Sequence, residues 1–196
     1  LESAPVGNDP FAMQNGNFPA PVNRENILRV YEDLDKKTQK KVDAMIPQQV
    51  ELLKKNGSDN PYNVPIVGYG WAGNNQVISA AYNGYTLWKK YPELVDPELV
   101  LRGLNYLFGT HPYSNVSFIT AVGVNTKKVA YGNNRADYTV IPGGVVPGLL
   151  VRYPDFFENK DDYPFLWGEN ECCINSVPNY VMLNLAAIEL AEAINK

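Results

Sequence analysis

The chain has 196 residues, 45% of them hydrophobic and 19% charged, with a formal net charge of −4. That length and apolar content can bury the core of one ordinary domain and exclude a disordered chain. The small, mixed charge has no basic block beyond Lys36-Lys37 and Lys40-Lys41, which excludes the electrostatic footprint of a nucleic-acid binder. No apolar run reaches the ~20 residues that span a bilayer, so no membrane partner is expected, and the first residues do not read as an export signal. The opening Leu-Glu-Ser-Ala-Pro-Val-Gly fits a mature start or a piece of a longer precursor equally well.

In chain order, residues 1–22 are rich in Pro, Gly and Asn and read as an irregular arm, with residues 23–196 as one body. From Asn26, Ile27, Leu28, Tyr31 and Leu34 recur at helical spacing. A second helical series, Val42, Met45, Ile46, Val50 and Leu53, follows a Lys-rich link, with Pro47 expected to kink or restart it. Asn56-Gly57-Ser58 ends that helix, and Asp59 to Gly73 reads as a loop carrying Trp71. Val77, Ile78, Ala81, Tyr85 and Trp88 mark a third helix. The fourth takes Asp96 as N-cap and Pro97 in its first turn, and stops at Gly109.

Residues 110–169 show no helical period, and only Ser117 to Val124 suggests a short strand. A loop that long on a helical scaffold is where function is expected. The chain closes with a helix from about Cys172 to Ile194, apolar almost all round from Tyr180 to Leu190, as for a helix buried on several sides. The fold class read from these elements is all-α, helices in pairs with at most short strands. Periodicity alone leaves a toroid of helical hairpins and an ordinary bundle equally open.

Thirteen Tyr, three Trp and seven Phe fall largely in the non-helical segments, where aromatic faces suit sugar rings, although they also suit the wet edge of a helical core. Cys172 and Cys173 are adjacent and read as small buried hydrophobes. With His111 the single histidine, no metal site and no cofactor is expected. His111 itself reads as a hydrogen-bonded loop residue. The tract Asp162 to Glu171 sets a carboxyl among Phe165 and Trp167 at the mouth of an apolar helix, surroundings that raise a carboxyl pKa toward neutrality. Helix dipole and Asn170 would act the other way.

Several segments carry a family pattern. Val64-Pro65 precedes Gly70-Trp71 and a helix; Leu104 to Pro112 forms a helix end; Ser117, Ile119, Thr120, Gly123 and Asn125 fit a Ser-x-apolar-Thr-x-x-Gly-x-Asn signature; Val146 to Val151 makes a Pro-Gly-Leu-Leu turn. Asp162 and Trp167 stand nine and four residues before Glu171, and Asn170-Glu171 completes a second signature. In this order the chain resembles the C-terminal half of glycoside hydrolase family 9, the inverting endoglucanase-type enzymes with an (α/α)6 barrel. Departures are Asn133 where the family has histidine, Arg152-Tyr153 for two glycines, and Lys160, Cys173 and Val177-Pro178 at other positions.

The resemblance implies a hydrolase of β-linked glycans, secreted or periplasmic, with Glu171 as general acid and Glu169 as competitor. Asp162 would orient the loop or the acid, Arg135 and Asn133 would contact the sugar, and Trp71, Tyr113, Tyr131 and Trp167 would offer stacking faces. The family's base comes from an Asp-x-Gly-Asp motif that this chain lacks. The chain is thus expected to be the acid-bearing portion of a barrel, inert alone, pairing with a missing N-terminal half or with itself through exposed apolar helix faces. The alternative is a degenerate, non-catalytic glycan binder on the same scaffold.

Overall fold

The computed structural model describes residues 24–55, 57–66, 73–128, 140–148, 151–152, 155–158, 171 and 174–195. Among them are helices α1 (Arg24–Arg29), α2 (Lys36–Lys55), α3 (Gly73–Lys90), α4 (Glu98–Leu107) and α5 (Ser176–Ile194). Four two-residue strands accompany them: β1 (Val116–Ser117), β2 (Asn125–Thr126), β3 (Val151–Arg152) and β4 (Phe157–Glu158). β1 and β2 run parallel, β3 and β4 antiparallel. The all-α class with short strands is thus what the chain adopts.

Local chemistry sets the helix starts, and in two places it differs from the spacing argument. Asp35 accepts the N–H groups of Lys37 (2.9 Å) and Thr38 (3.0 Å) and the Thr38 hydroxyl (2.7 Å). This cap satisfies otherwise orphaned donors, so the Lys-rich stretch is the first turns of α2 and not a link. α1 correspondingly ends at Arg29, and Tyr31–Asp33 is a tight 3-10 turn. Pro47 neither ends nor restarts α2, which continues to Lys55 at the cost of one backbone hydrogen bond. Asp96 does cap α4, accepting the Glu98 N–H at 3.0 Å.

Helix direction follows from a few contacts. Tyr91 hydrogen-bonds Asp43 while Gly84 lies against Leu53, so α2 and α3 are antiparallel. Gly84 also meets Val100 and Gly103 meets Ala81, so α3 and α4 are antiparallel too. Tyr180 packs edge-on against Phe108 just after α4, while Tyr85 and Lys89 near the end of α3 reach Glu189 near the end of α5. α5 therefore runs parallel to α3, and the two N-termini lie at one end with the C-terminus of α4.

Two apolar clusters hold this arrangement. Ile27, Val42, Ile46, Val50, Leu53, Leu87 and Val95 join α1, α2 and α3. The larger one joins α3, α4 and α5 to residues outside the helices, including Tyr62, Phe118, Ile119, Val145 and, in β3, Val151. The final helix departs from expectation twice. It starts at Ser176 rather than about Cys172, with Ile174 and Asn175 in a turn. It is also buried on one side only: Leu183, Ala186, Ala187 and Leu190 are covered, whereas Val181, Met182, Leu185 and Ile188 are 42–57% exposed. The apolar composition of the helix reports two faces, of which this chain covers one.

Candidate active site

The convergence of α3 and α5 N-termini with the C-terminus of α4 makes one end of the helical layer the place where the loops gather. After α4 the chain reverses at Gly109, whose φ of +86° and close approach to the Val116 backbone admit no side chain. Residues 117–120 then become the middle of a small folded loop. Lys127 donates its N–H to the Ser117 carbonyl, Val146 to Phe118, and Thr120 to Gly144. The Thr120 hydroxyl donates to the Lys127 carbonyl at 2.9 Å, and Ser117 Oγ accepts the Ile119 N–H at 3.1 Å.

These are the residues of the first signature, and their observed role is architectural. Ser117, Ile119 and Thr120 are fully buried, and Gly123 sits at φ +100° against the Ser117 side chain. Asn125 pairs in β2. The loop is stitched to α3 by Asn74, whose N–H and side-chain amide donate to the carbonyls of Pro147 and Val146.

Glu171 stands just ahead of α5, half-buried and in an isolated β-bridge. Its place in the chain sets it at this same loop end. Three buried oxygens near the N-termini of α3 and α5, Asn74 Oδ1, Asn75 Oδ1 and Ser176 Oγ, have no hydrogen-bond partner among the described residues. Such atoms each cost ~1–3 kcal/mol and are retained in native folds where polarity is used. Of the other expected site residues, Tyr113 is described and is 79% exposed. Trp71, Tyr131, Asn133, Arg135, Asp162, Trp167 and the competing Glu169 lie outside the described residues.

A second polar centre lies under the same loops and was not singled out from sequence. Glu158, 6% exposed, accepts the Tyr62 hydroxyl at 3.0 Å and the Tyr113 N–H at 3.1 Å, and its second oxygen lies 3.7 Å from His111 Nδ1. Burial acts to raise the Glu158 carboxyl pKa. Hydrogen bonds from Ser114, Tyr62 and the Tyr113 N–H, with the nearby His111 ring, outweigh it and hold the pKa below the ordinary glutamate value.

His111 donates from Nε2 to the Tyr106 carbonyl at 2.9 Å and packs among the rings of Tyr62, Tyr106 and Phe118. Burial lowers its pKa and keeps it neutral, as a loop residue bonded to its own backbone neighbourhood. Glu158 escaped notice because Glu-Asn-Lys-Asp-Asp looks like a solvated charge run. Only its pairing in β4 against Val151 turns the carboxyl inward.

Comparison with protein-family profiles and with curated protein sequences finds no match. Among solved structures, a metagenome-derived glycoside hydrolase family 9 endoglucanase superposes with a TM-score of 0.64 at 20% identity, over 85% of this chain and 33% of that one. A Zn-binding triple mutant of the family 9 endoglucanase J30 gives 0.65 at 20% identity, over 90% and 36%. AaCel9A in complex with cellobiose-like isofagomine gives 0.59 at 18% identity, over 83% and 34%. The chain spans about a third of the length of these structures. With helices, their directions and the loop end all in place, the chain has the fold of the corresponding part of the family 9 endoglucanases.

Proposed function

We propose that the chain is the acid-bearing part of a family 9-type glycoside hydrolase that cleaves β-linked glycans with inversion. The observation that carries this is the agreement between the endoglucanase fold and the position of Glu171, half-buried at the loop end directly ahead of α5. In an inverting cleavage a protonated carboxyl delivers its proton to the leaving glycosidic oxygen. A second, ionised carboxylate ~6.5–9.5 Å away activates the water. Glu171 takes the first role, and Arg135, Asn133, Trp71, Tyr113, Tyr131 and Trp167 supply sugar contacts, with Asp162 orienting the acid. The base belongs to a part of the barrel that this sequence does not contain, so the isolated chain is inert.

The partner of the site is then the remainder of the barrel, and the exposed stripe Val181, Leu185 and Ile188 on α5 is its seat. The solved endoglucanases are about three times as long as the part matched here, which supplies the helices to cover such a stripe. Action on a polymeric glycan fits a secreted or periplasmic enzyme. Asn133 in place of the family's histidine favours, as second reading, a glycan-binding relative without turnover.

Two measurements test the proposal. Incubated alone with a soluble β-1,4-glucan, the 196-residue chain is expected to release no reducing ends, and release would overturn the divided site. In a chain that also carries the base-bearing part, Glu171→Gln is expected to lower kcat by several orders of magnitude, the scale of losing a transition-state proton donor. Undiminished turnover there would remove Glu171 as the acid.

A further inference from the structure

We propose that Glu158 is a positioning residue for glycan binding, whose buried carboxylate fixes the turn that carries Tyr113. The proposal rests on the glycan reading of the chain, with Tyr113 as a sugar contact, and adds what holds that contact in place.

The turn after α4 has few ties of its own. Pro112 contributes no N–H, and the Tyr113 N–H donates to Glu158 Oε1 at 3.1 Å. Ser114 adds a side-chain hydrogen bond to the same carboxyl. Asn115 follows at φ +51°, a left-handed conformation that persists where its surroundings over-determine it. Residues 112–115 belong to neither apolar cluster, so polar ties rather than core packing set the shape of the turn.

Glu158 reaches this turn from a distant segment. Its carboxyl lies beside the last turn of α4, where the rings of Tyr62 and His111 pack on Tyr106. The Tyr62 hydroxyl donates to the same Oε1 at 3.0 Å. One carboxylate thus ties together the loop after α2, the turn after α4 and the β3–β4 hairpin. The C-terminus of α4 places this junction at the loop end where Glu171 stands.

Stability alone does not account for a carboxylate here. Glu158 is buried, burial keeps the neighbouring His111 neutral, and no Lys or Arg pairs with it among the described residues. Burying a carboxylate without a cation is costly, and an all-apolar contact in its place is often no less stable. What the carboxylate adds is geometry, because donors from different segments converge on one oxygen. A contact residue on a turn held in this way loses less freedom on binding than one on a loose turn.

The test is affinity of the 196-residue chain for cellohexaose by titration calorimetry, at a temperature where circular dichroism shows the variants folded. Glu158→Leu removes the acceptor, and Glu158→Gln keeps an acceptor oxygen. Ser114→Ala cuts the turn's second tie at a half-exposed position, and carries the comparison if Glu158→Leu does not fold. Glu158→Leu is expected to weaken binding about threefold to tenfold, the scale of re-ordering a freed contact side chain. Ser114→Ala is expected to weaken it less, and Glu158→Gln to restore most of the affinity. In a Tyr113→Ala background these losses are expected to vanish, a coupling that a merely structural role does not produce. Unchanged affinity in the wild-type background, or losses that persist without the Tyr113 ring, would overturn the positioning role and leave the glycan reading standing. No binding by wild type would overturn both.

Discussion

The Tyr62 hydroxyl donates to Glu158 across 96 positions of sequence at 3.0 Å, joining the loop after α2 to the strand that leads toward Glu171. Glu158 is buried and gathers two donors, so it matters more than either of them. Tyr62→Phe is expected to cost ~1 kcal/mol, and Glu158→Leu ~2–3 kcal/mol, since the latter leaves the Tyr113 N–H without its acceptor and the Tyr62 hydroxyl with only the Phe156 carbonyl. Urea denaturation monitored by circular dichroism measures both, and equal small losses would show the network to be energetically idle.

The Tyr106 hydroxyl, in the same cluster, is buried without a hydrogen-bond partner among the described residues, and the residue is 1% exposed. Deleting the oxygen keeps the ring packing against Tyr62, His111 and Phe118 while removing an unsatisfied polar atom. Tyr106→Phe is therefore expected to stabilise the fold by about 1 kcal/mol. A lower denaturation midpoint for the variant would contradict this.

Packing of α3 on α4 depends on Gly103, where an added Cβ would stand 2.6 Å from the Ala81 Cβ. Gly103→Ala is expected to destabilise by ~1–3 kcal/mol through overpacking, although alanine is the better helix former. Combining it with Ala81→Gly relieves the clash, so the double variant should recover part of the loss in the same denaturation experiment.

Acid sensitivity has a defined sign. The folded His111 has a lowered pKa, so the unfolded chain binds its proton first. Stability is fully present above the unfolded value of 6.5 and declines as pH falls through the window beneath it. Glu158 is likewise lowered, and its contribution persists above 4.5 and is lost as pH falls further. Since His111 is the single histidine, thermal melts between pH 7 and 5.5 should show a falling midpoint that His111→Gln flattens.

The stripe on α5 makes its own prediction. Leu185→Glu with Ile188→Glu is expected to leave the melting midpoint unchanged within the ~0.5 kcal/mol typical of surface sites, while abolishing binding of an apolar dye. Sedimentation of the wild-type chain is expected to show a monomer. A dimer that the double variant dissociates would show a second copy, not the rest of a barrel, to be the occupant.

Helix spacing and capping residues located most of α2, α3 and α4 in advance, because an amphipathic period and an Asp cap are local properties of the chain. Their failures were local too: Asp35 starts α2 earlier than the apolar series indicates, and Ile174-Asn175 delays α5. The signature around Ser117 was legible as a motif but not as what it is, a self-bonded loop whose hydroxyls replace missing backbone partners. The expected sugar contacts at Trp71, Tyr131, Asn133, Arg135 and Trp167, and Asp162, lie beyond the described residues.

By itself the sequence determined where helices form and which residues could carry carboxyl chemistry, since both follow from near neighbours along the chain. Only the tertiary structure decided that Glu158 turns inward while Phe157 turns out, and that α5 covers one apolar face and leaves the other bare. Those outcomes depend on which distant segments meet: Tyr62 finding Glu158, and α3 finding α5. Alternation along a strand or periodicity around a helix offers two faces, and which one becomes interior is settled by the partner that arrives.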